Sequence, residues 1–299
     1  MIKSIDTFTE KLNNLDLTRV SYDKLMGLFK FGKYGFDKIP FTTAIVKKDG
    51  YIERGRINYN GEIFYSEKEI SYRTDRKEIS EYGRANIPGV SRFYGAFPST
   101  EVKYARITLF AELCKEFQVE PVQDMDTTMT IGRWRIKEDF EVAEIVFSKE
   151  YLKNPETQVS LNKWMDLINE KNSEFSKEEY KKLLIFFSER FAKKDISHHE
   201  EYKLSCAYTD MALYGAGLHG VSYPSSKTKY LSNNIVLPVE TVEKFLDLEI
   251  IAMFRLKVKN GKGAVVPIAI CEKRGDFNTS FKWEDATMES YTDLTTADL

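Results

Sequence analysis

The stretch FTTAIVKKDGYIERGRIN, Phe41 to Asn58, sets the class of fold. On either side of Asp49-Gly50 runs a segment that mixes β-branched and aromatic residues with charge, the composition of a half-buried strand. Asp-Gly is a favoured tight-turn pair, so the stretch reads as a β-hairpin. Upstream lie two short amphipathic helices. Asp6 caps the first, with Phe8 and Leu12 on one face; Ser21 caps the second, with Leu25, Leu28 and Phe29 inward and Gly32 as its stop. Pro40 marks the entry to the strands. Downstream, residues 60–100 are irregular and rich in Tyr, Gly, Ser and charge; a connection that long is functional or disordered, and this one carries too many aromatics for disorder. EVKYARITLFAELCKEF (101–117) has helical spacing of its apolar residues. MTIGRWRI and EVAEIVF read as a second hairpin around Lys137 to Phe140. Two helices follow over 159–194, the second with a capping signal at Ser176 and Glu179, and a third spans 199–214. HGVSYP, NNIVLP, LEIIAMFRLKV and GAVVPIAICEK are strand-like, the last two joined through Asn260-Gly261. Strands lead, helices are inserted and strands close the chain. That order predicts an α+β fold with a mixed or antiparallel sheet and helical insertions, not a doubly wound parallel sheet.

Composition narrows the function classes. The chain has 299 residues, 42% hydrophobic and 30% charged, enough apolar content for a real core. Lys plus Arg number 44 against 46 Asp plus Glu, a net charge of -2, which gives no global attraction to nucleic acid or to an anionic membrane. Cys114, Cys206 and Cys271 are far apart and form no CxxC pair, which argues against a zinc ribbon or a thioredoxin-type site and for a reducing compartment. The N-terminus lacks the apolar stretch of a signal peptide and no run of about 18 apolar residues occurs. The expectation is a soluble cytoplasmic protein. From Glu284 on there are five acidic residues and no Lys or Arg, which reads as a mobile tail over 284–299.

Several formal motifs carry no chemistry. Gly215, Gly217 and Gly220 satisfy G-x-G-x-x-G, but a helix precedes them and an extended run follows, the reverse of a dinucleotide fingerprint. His198 and His199 are adjacent and point apart on a helix, HExxH is absent, and no metal is expected. There is no Walker A loop and no G-x-S-x-G elbow. Three segments do carry chemistry. They are Glu53-Arg54-Gly55-Arg56 on a strand; YGRANIPG (82–89) with SRFYGA (91–96), followed by the helix bearing Glu112; and HGVSYPSS (219–226) with Asn233-Asn234. Arginine forks grip phosphates, tyrosine offers a flat face with a hydroxyl, and a carboxylate steadies an oxocarbenium-like sugar. Together they suit a pyrophosphate-bearing nucleoside.

The ordered set YGRANIPG, FYGA, a Glu-bearing helix and a distal G-V-x-Y-P-S resembles the RES domain over roughly residues 41–250. The resemblance implies a fold similar to ADP-ribosyltransferases, a toxin of a bacterial toxin–antitoxin pair, and NAD as the molecule degraded. It implies an NAD glycohydrolase, or with the same pocket a protein ADP-ribosyltransferase; a non-catalytic nucleotide- or partner-binding module is the rival. The resemblance places the first family arginine at Arg54 or Arg56, two positions on one strand face, and others at Arg84, Tyr94, Glu112 and Ser225, with Ser226 as a neighbour. Arg54 or Arg56 with Arg84 would hold the pyrophosphate, Tyr94 would pack on nicotinamide or its ribose, Glu112 would stabilise the transition state, and Ser225 would position a ribose or phosphate. Glu116, one turn beyond Glu112, is the natural control. An Xre-type antitoxin or a homodimer partner is implied, and no direct nucleic-acid or membrane partner. The expected organisation is an N-terminal helical segment (1–40), a catalytic domain (41–283) with a helical insert near 150–200, and the tail.

Overall fold

The computed structural model of the protein describes residues 4–29, 38–118, 123–170, 176–260, 262–272, 280–286 and 297–298. Two helices open the chain, α1 (Ile5–Asn13) and α2 (Tyr22–Gly27). Each begins at a serine whose hydroxyl accepts a first-turn N–H, Ser4 from Thr7 and Ser21 from Lys24. Ser4 rather than Asp6 is therefore the cap of α1; Asp6 sits in the first turn, where a carboxylate suits the positive end of the helix dipole. Gly32 lies outside the described residues.

The strands β1 (Thr43–Val46) and β2 (Tyr51–Ile57) do not pair with each other, contrary to the hairpin reading. After the short helix α3 (Glu67–Ile70), the strand β3 (Arg92–Phe97) and the helix α4 (Ala105–Leu113) come β4 (Met125–Ile136) and β5 (Phe140–Glu144). β1 pairs with β5 and β2 with β4, in one unbroken antiparallel register: Thr43 faces Ala143, Val46 faces Phe140, Tyr51 faces Arg135 and Ile57 faces Met129. The two presumed hairpins are thus one long ribbon, bent where both strands are interrupted. At the bend Ile136 exchanges backbone hydrogen bonds with Asp49 and Gly50, and Asp139 takes the Lys48 N–H at 2.8 Å and the Lys47 ammonium at 2.8 Å. Asp49-Gly50 does turn the chain, with Asp49 at φ 64, but it bends a strand instead of folding it back.

Two long helices follow, α5 (Pro155–Glu170) and α6 (Lys177–Ala192), the latter with the predicted capping box at Ser176 and Glu179. Then come α7 (Lys203–Asp210), which runs into a π-helical turn, and the strands β6 (Val221–Pro224) and β7 (Asn233–Pro238). The chain closes with α8 (Val239–Phe245), β8 (Leu246–Lys259) and β9 (Lys262–Glu272). β8 and β9 pair as the expected hairpin. Of the stretch read as a mobile tail, β10 (Glu284–Asp285) and β11 (Ala297–Asp298) both pair with β9; Thr287 to Thr296 and Leu299 lie outside the described residues. The fold is α+β: one sheet in the order β1-β5-β6-β7-β3-β2-β4-β8-β9-β10, with β11 on β9, antiparallel except for β5–β6. Val46 and Tyr51 are five residues apart, so their strands end within about 18 Å of each other. Four strands lie between them in the sheet order, so this half of the sheet curls round on itself.

Strand alternation divides the core. Val236 on β7 and Val221 and Tyr223 on β6 face a layer built from α1, α2, α6 and α7, with Phe8, Leu25, Phe187 and Tyr208 buried in it. Ile235 and Leu237 on the other face join Phe93, Trp134 and Phe245. A third cluster seats α4 through Leu109 and Phe110 on Ala96, Met129 and Phe254. α4 is apolar nearly all round, as a helix buried on several sides must be. Its last turn carries Glu112.

Candidate active site

Glu112 is held by two partners from distant parts of the chain. Ser225 Oγ donates to Glu112 Oε1 at 2.5 Å and Asn234 Nδ2 donates to the same oxygen at 2.7 Å. Ser225 follows β6 and is 0% exposed; Asn234 is on β7 and 7% exposed. Ser225 is also a turn residue: its Oγ accepts the Lys227 N–H at 3.2 Å and its carbonyl accepts the Tyr230 N–H at 2.8 Å. Lys229 and Tyr230 then take positive φ values of 54 and 69, and the tight loop returns Ser232 to bond the Ser225 N–H at 2.7 Å. The hydroxyl that meets Glu112 is thereby fixed by backbone. With two donors on one oxygen, the plane of the carboxylate is set. Ser226 makes no such contact, and Glu116 is exposed in a different groove, among Tyr59, Lys115 and Arg255.

Arg84 lies near this carboxylate. Burial opposes its charge, but Tyr223, Tyr202, Tyr151 and Glu112 around it outweigh that and hold its pKa above the ordinary arginine value. Its guanidinium sits 5.2 Å from the Tyr202 ring centroid and 6.0 Å from that of Tyr223. Nη1 donates to the carbonyls of Phe191 and, at 3.1 Å, Lys193. These are the last carbonyls of α6, the negative end of its dipole, so Arg84 acts as a C-terminal cap of the insert. Tyr223 joins the groups: burial pushes its phenol up, Tyr94 and Glu112 add to that, and the Arg84 charge opposes it.

Arg54 and Tyr94 meet at a seam of the sheet. β2 and β3 are bridged at a single pair, Glu53 with Ala96, and part beyond it. Arg54 fills the gap: Nη1 donates to the Tyr94 carbonyl at 2.8 Å, and Nε to the carbonyls of Ser71 at 3.0 Å and Ile70 at 3.2 Å. Burial, with Arg56 and Arg73 nearby, pushes the Arg54 pKa down to about 10. Tyr94 Oη donates to Asn86 Oδ1 at 2.7 Å and accepts the Ala85 N–H at 3.1 Å, which ties β3 to the GRAN segment. Gly83 is needed there, because a Cβ on it would stand 3.1 Å from Tyr94 Oη and closer still to Asn86 Oδ1. Cys206 Sγ donates from α7 to the carbonyls of Gly83 and Asn86 at 3.1 and 3.2 Å. Arg54 and Tyr94 line a cleft of about 340 Å³ with Arg73, Tyr82 and Arg92. Arg56 points elsewhere, over the Phe64 ring at 4.7 Å and into a neighbouring groove.

The predicted residues therefore form two groups. Glu112, Ser225 and Arg84 gather at one place, Arg54 and Tyr94 line a cleft, and Tyr223 feels members of both. Asn234 is the residue that sequence reading quoted without assigning. Its signal was its face: two residues before the inward Val236, a strand polar group must find a partner. Among the described residues, no cluster of three or more His, Cys, Asp or Glu is placed to hold a metal, and no helix is long and apolar enough to cross a membrane. Cys114, Cys206 and Cys271 are buried and unbridged. No family model matches the chain, and no curated protein matches it.

Proposed function

We propose that this chain cleaves the nicotinamide–ribose bond of NAD, as a RES-type toxin with an ADP-ribosyltransferase-like fold. The observation that carries the reading is the fixing of Glu112 by Ser225 and Asn234, three residues from separate segments meeting on one oxygen. In the reaction the C1′–N bond breaks and its electron pair leaves with nicotinamide. The ribose carries the developing positive charge, and Glu112 stabilises it. Water adds its oxygen to C1′ and gives up a proton, which yields ADP-ribose. A protein side chain in place of water makes the same pocket a transferase. Arg54 takes pyrophosphate oxygens, Tyr94 the nicotinamide end, and Ser225 and Asn234 orient the carboxylate. The chemistry asks only for prepositioned charge, so NAD enters as substrate and no metal is invoked. The toxin reading implies a cytoplasmic site of action and an Xre-type antitoxin or a second copy of this chain as partner.

The test is NAD consumption by wild type and Glu112→Ala, with products separated by chromatography. Wild type should release nicotinamide and ADP-ribose, and the variant should lose about 10²–10³-fold in rate, the usual effect of removing one electrostatic stabiliser. Equal turnover by a folded Glu112→Ala protein overturns the reading. Nicotinamide without matching free ADP-ribose points to a modified protein. One observation favours a second reading, a binding module without turnover: Arg84 is already committed to the carbonyls of Phe191 and Lys193. Binding of NAD without product would select it.

A further inference from the structure

Tyr223 stands between the two groups of site residues. The β6–β7 ladder sets it directly across from Asn234, a donor to Glu112, and the β7–β3 ladder sets Asn234 across from Ala96. Side chains opposite one another, or two apart along a strand, share a face, so Tyr223, Asn234 and Tyr94 lie on one side of the sheet. The Tyr223 ring is 4% exposed and packs on Phe191 at the end of α6, with ring centroids 5.2 Å apart. Its hydroxyl makes no hydrogen bond among the described residues, although Tyr94, Arg84 and Glu112 are close enough to act on its charge. Those neighbours bond elsewhere: Tyr94 Oη with Asn86 and Ala85, Arg84 Nη1 with the carbonyls of Phe191 and Lys193, and Glu112 Oε1 with Ser225 and Asn234. A buried polar group without a partner is rare in a folded protein and calls for an explanation. Tyr151 provides a contrast. Its hydroxyl, also near Arg84, is sealed in and has no partner. The Tyr223 oxygen is not sealed, so a ligand can supply the missing bond. Burial keeps the phenol protonated well above neutral pH, which makes it a donor.

We propose that Tyr223 is a catalytic residue, whose Oη donates to a hydroxyl of the ribose that Glu112 faces and holds that sugar while its bond to nicotinamide breaks. This role rests on the NAD reading. A sugar hydroxyl suits the place, because it accepts from a neutral phenol and brings no charge into a buried setting. Hydrogen bonds to a sugar hydroxyl strengthen as positive charge develops on the ring, so this one acts on the rate. Tyr223 keeps its proton throughout, and the balance of the cleavage is unchanged.

NAD turnover by wild type, Tyr223→Phe and Tyr151→Phe, each with its thermal unfolding, tests the role. Both substitutions delete a hydroxyl and keep the ring. Neither hydroxyl has a partner among the described residues, so both variants should melt with wild type. The expected result is a kcat/KM for NAD about tenfold lower in Tyr223→Phe and unchanged in Tyr151→Phe. Turnover by Tyr223→Phe equal to wild type overturns the role and leaves the NAD reading standing. Equal losses in the two variants, or a lower melting temperature for Tyr223→Phe, make the hydroxyl structural and overturn the role as well. No cleavage of NAD by wild type sinks the NAD reading, and this role with it.

Discussion

Replacing Asn234 with Leu removes one of the two donors on Glu112 Oε1 while keeping most of the side-chain volume. The lost bond is short, 2.7 Å, and its acceptor is a carboxylate. Hydrogen bonds to charged groups contribute roughly 1.5–3 kcal/mol, and Asn234 is buried, so water does not replace the donor. The expected loss of stability is therefore in that range, a fall in melting temperature of about 3–6 °C at roughly 2 °C per kcal/mol for a chain of this size. Part of any such loss comes from packing, and a double-mutant cycle separates the two. In a Glu112→Ala background Asn234 has lost its acceptor, so Asn234→Leu should cost little or nothing there. The coupling between the two substitutions should then be roughly 1.5–3 kcal/mol, well beyond the few tenths seen for independent sites. Urea unfolding of the four proteins measures it. A penalty for Asn234→Leu that is the same in both backgrounds refutes the idea that this side chain works through Glu112.

Two further outcomes concern groups outside the site. Glu53 is buried on β2, where Arg133 donates to its Oε1 from Nη2 at 3.0 Å and Nε at 3.2 Å. Arg133→Met should cost about 3–5 kcal/mol in urea unfolding, because it takes both Arg133 hydrogen bonds from a buried carboxylate that then has the Arg106 charge near it but neither of those donors. A loss below about 1 kcal/mol, the level of a surface pair, would show that Arg133 does not compensate Glu53. Burial raises the pKa of Glu144 above its ordinary 4.5, against the hydrogen bonds from Ser160 and Trp164. A carboxyl raised in the folded state favours folding while protonated; that contribution is full below 4.5 and is lost as pH rises through the folded value. The stability of Glu144→Gln relative to wild type should therefore climb with pH in that window, and a difference that is flat from there to neutral pH refutes the assignment.

The positions of most strands and helices were legible because each is decided within a few residues; α3 and β3, inside the stretch 60–100 read as irregular, were not. β7, β8 and β9 announce themselves by runs of Val, Ile and Leu between turn residues, and α6 by its capping box. Pairing was not legible. A strand such as TAIV exposes edge groups that any partner can satisfy, and its true partner Val142-Ala143 is about a hundred residues away. Asp49-Gly50 has the local signature of a hairpin turn, but the ribbon from Met125 to Glu144 is long enough to pair with strands on both sides of it, and two ladders outweigh one turn. In the site, Glu112 and Ser225 could be named because each falls in a segment that resembles the RES domain. Asn234, Tyr223 and Cys206 act through contacts with residues more than a hundred positions away, and no local spacing encodes those. Arg54 and Arg56 share a strand face and could not be separated by sequence; the parting of β2 from β3 separates them, since only Arg54 faces the gap.

The segments that enlarge the chain beyond its strands are walls of the site, not additions to it. Arg84 spends its donors on the end of α6. Tyr82, on the cleft, receives His199 on one side, with ring centroids 5.8 Å apart, and Tyr22 of α2 on the other at 6.1 Å. His199 Nδ1 accepts the Tyr82 N–H at 3.3 Å, which gives that histidine a structural task. Lys203 reaches from α7 to the carbonyls of Leu17 and Val20 and lies over the same Tyr82 ring. Arg92, on the cleft, is held by Asp210, which also accepts from Tyr22 at 2.7 Å. The loop 82–86 is thus clamped from one side by the N-terminal helices and from the other by the insert. One hydrophobic cluster runs through α1, α2, α6 and α7 to β6 and β7. A chain trimmed of residues 1–40 or of the insert would lose parts of that cluster and of the clamp together.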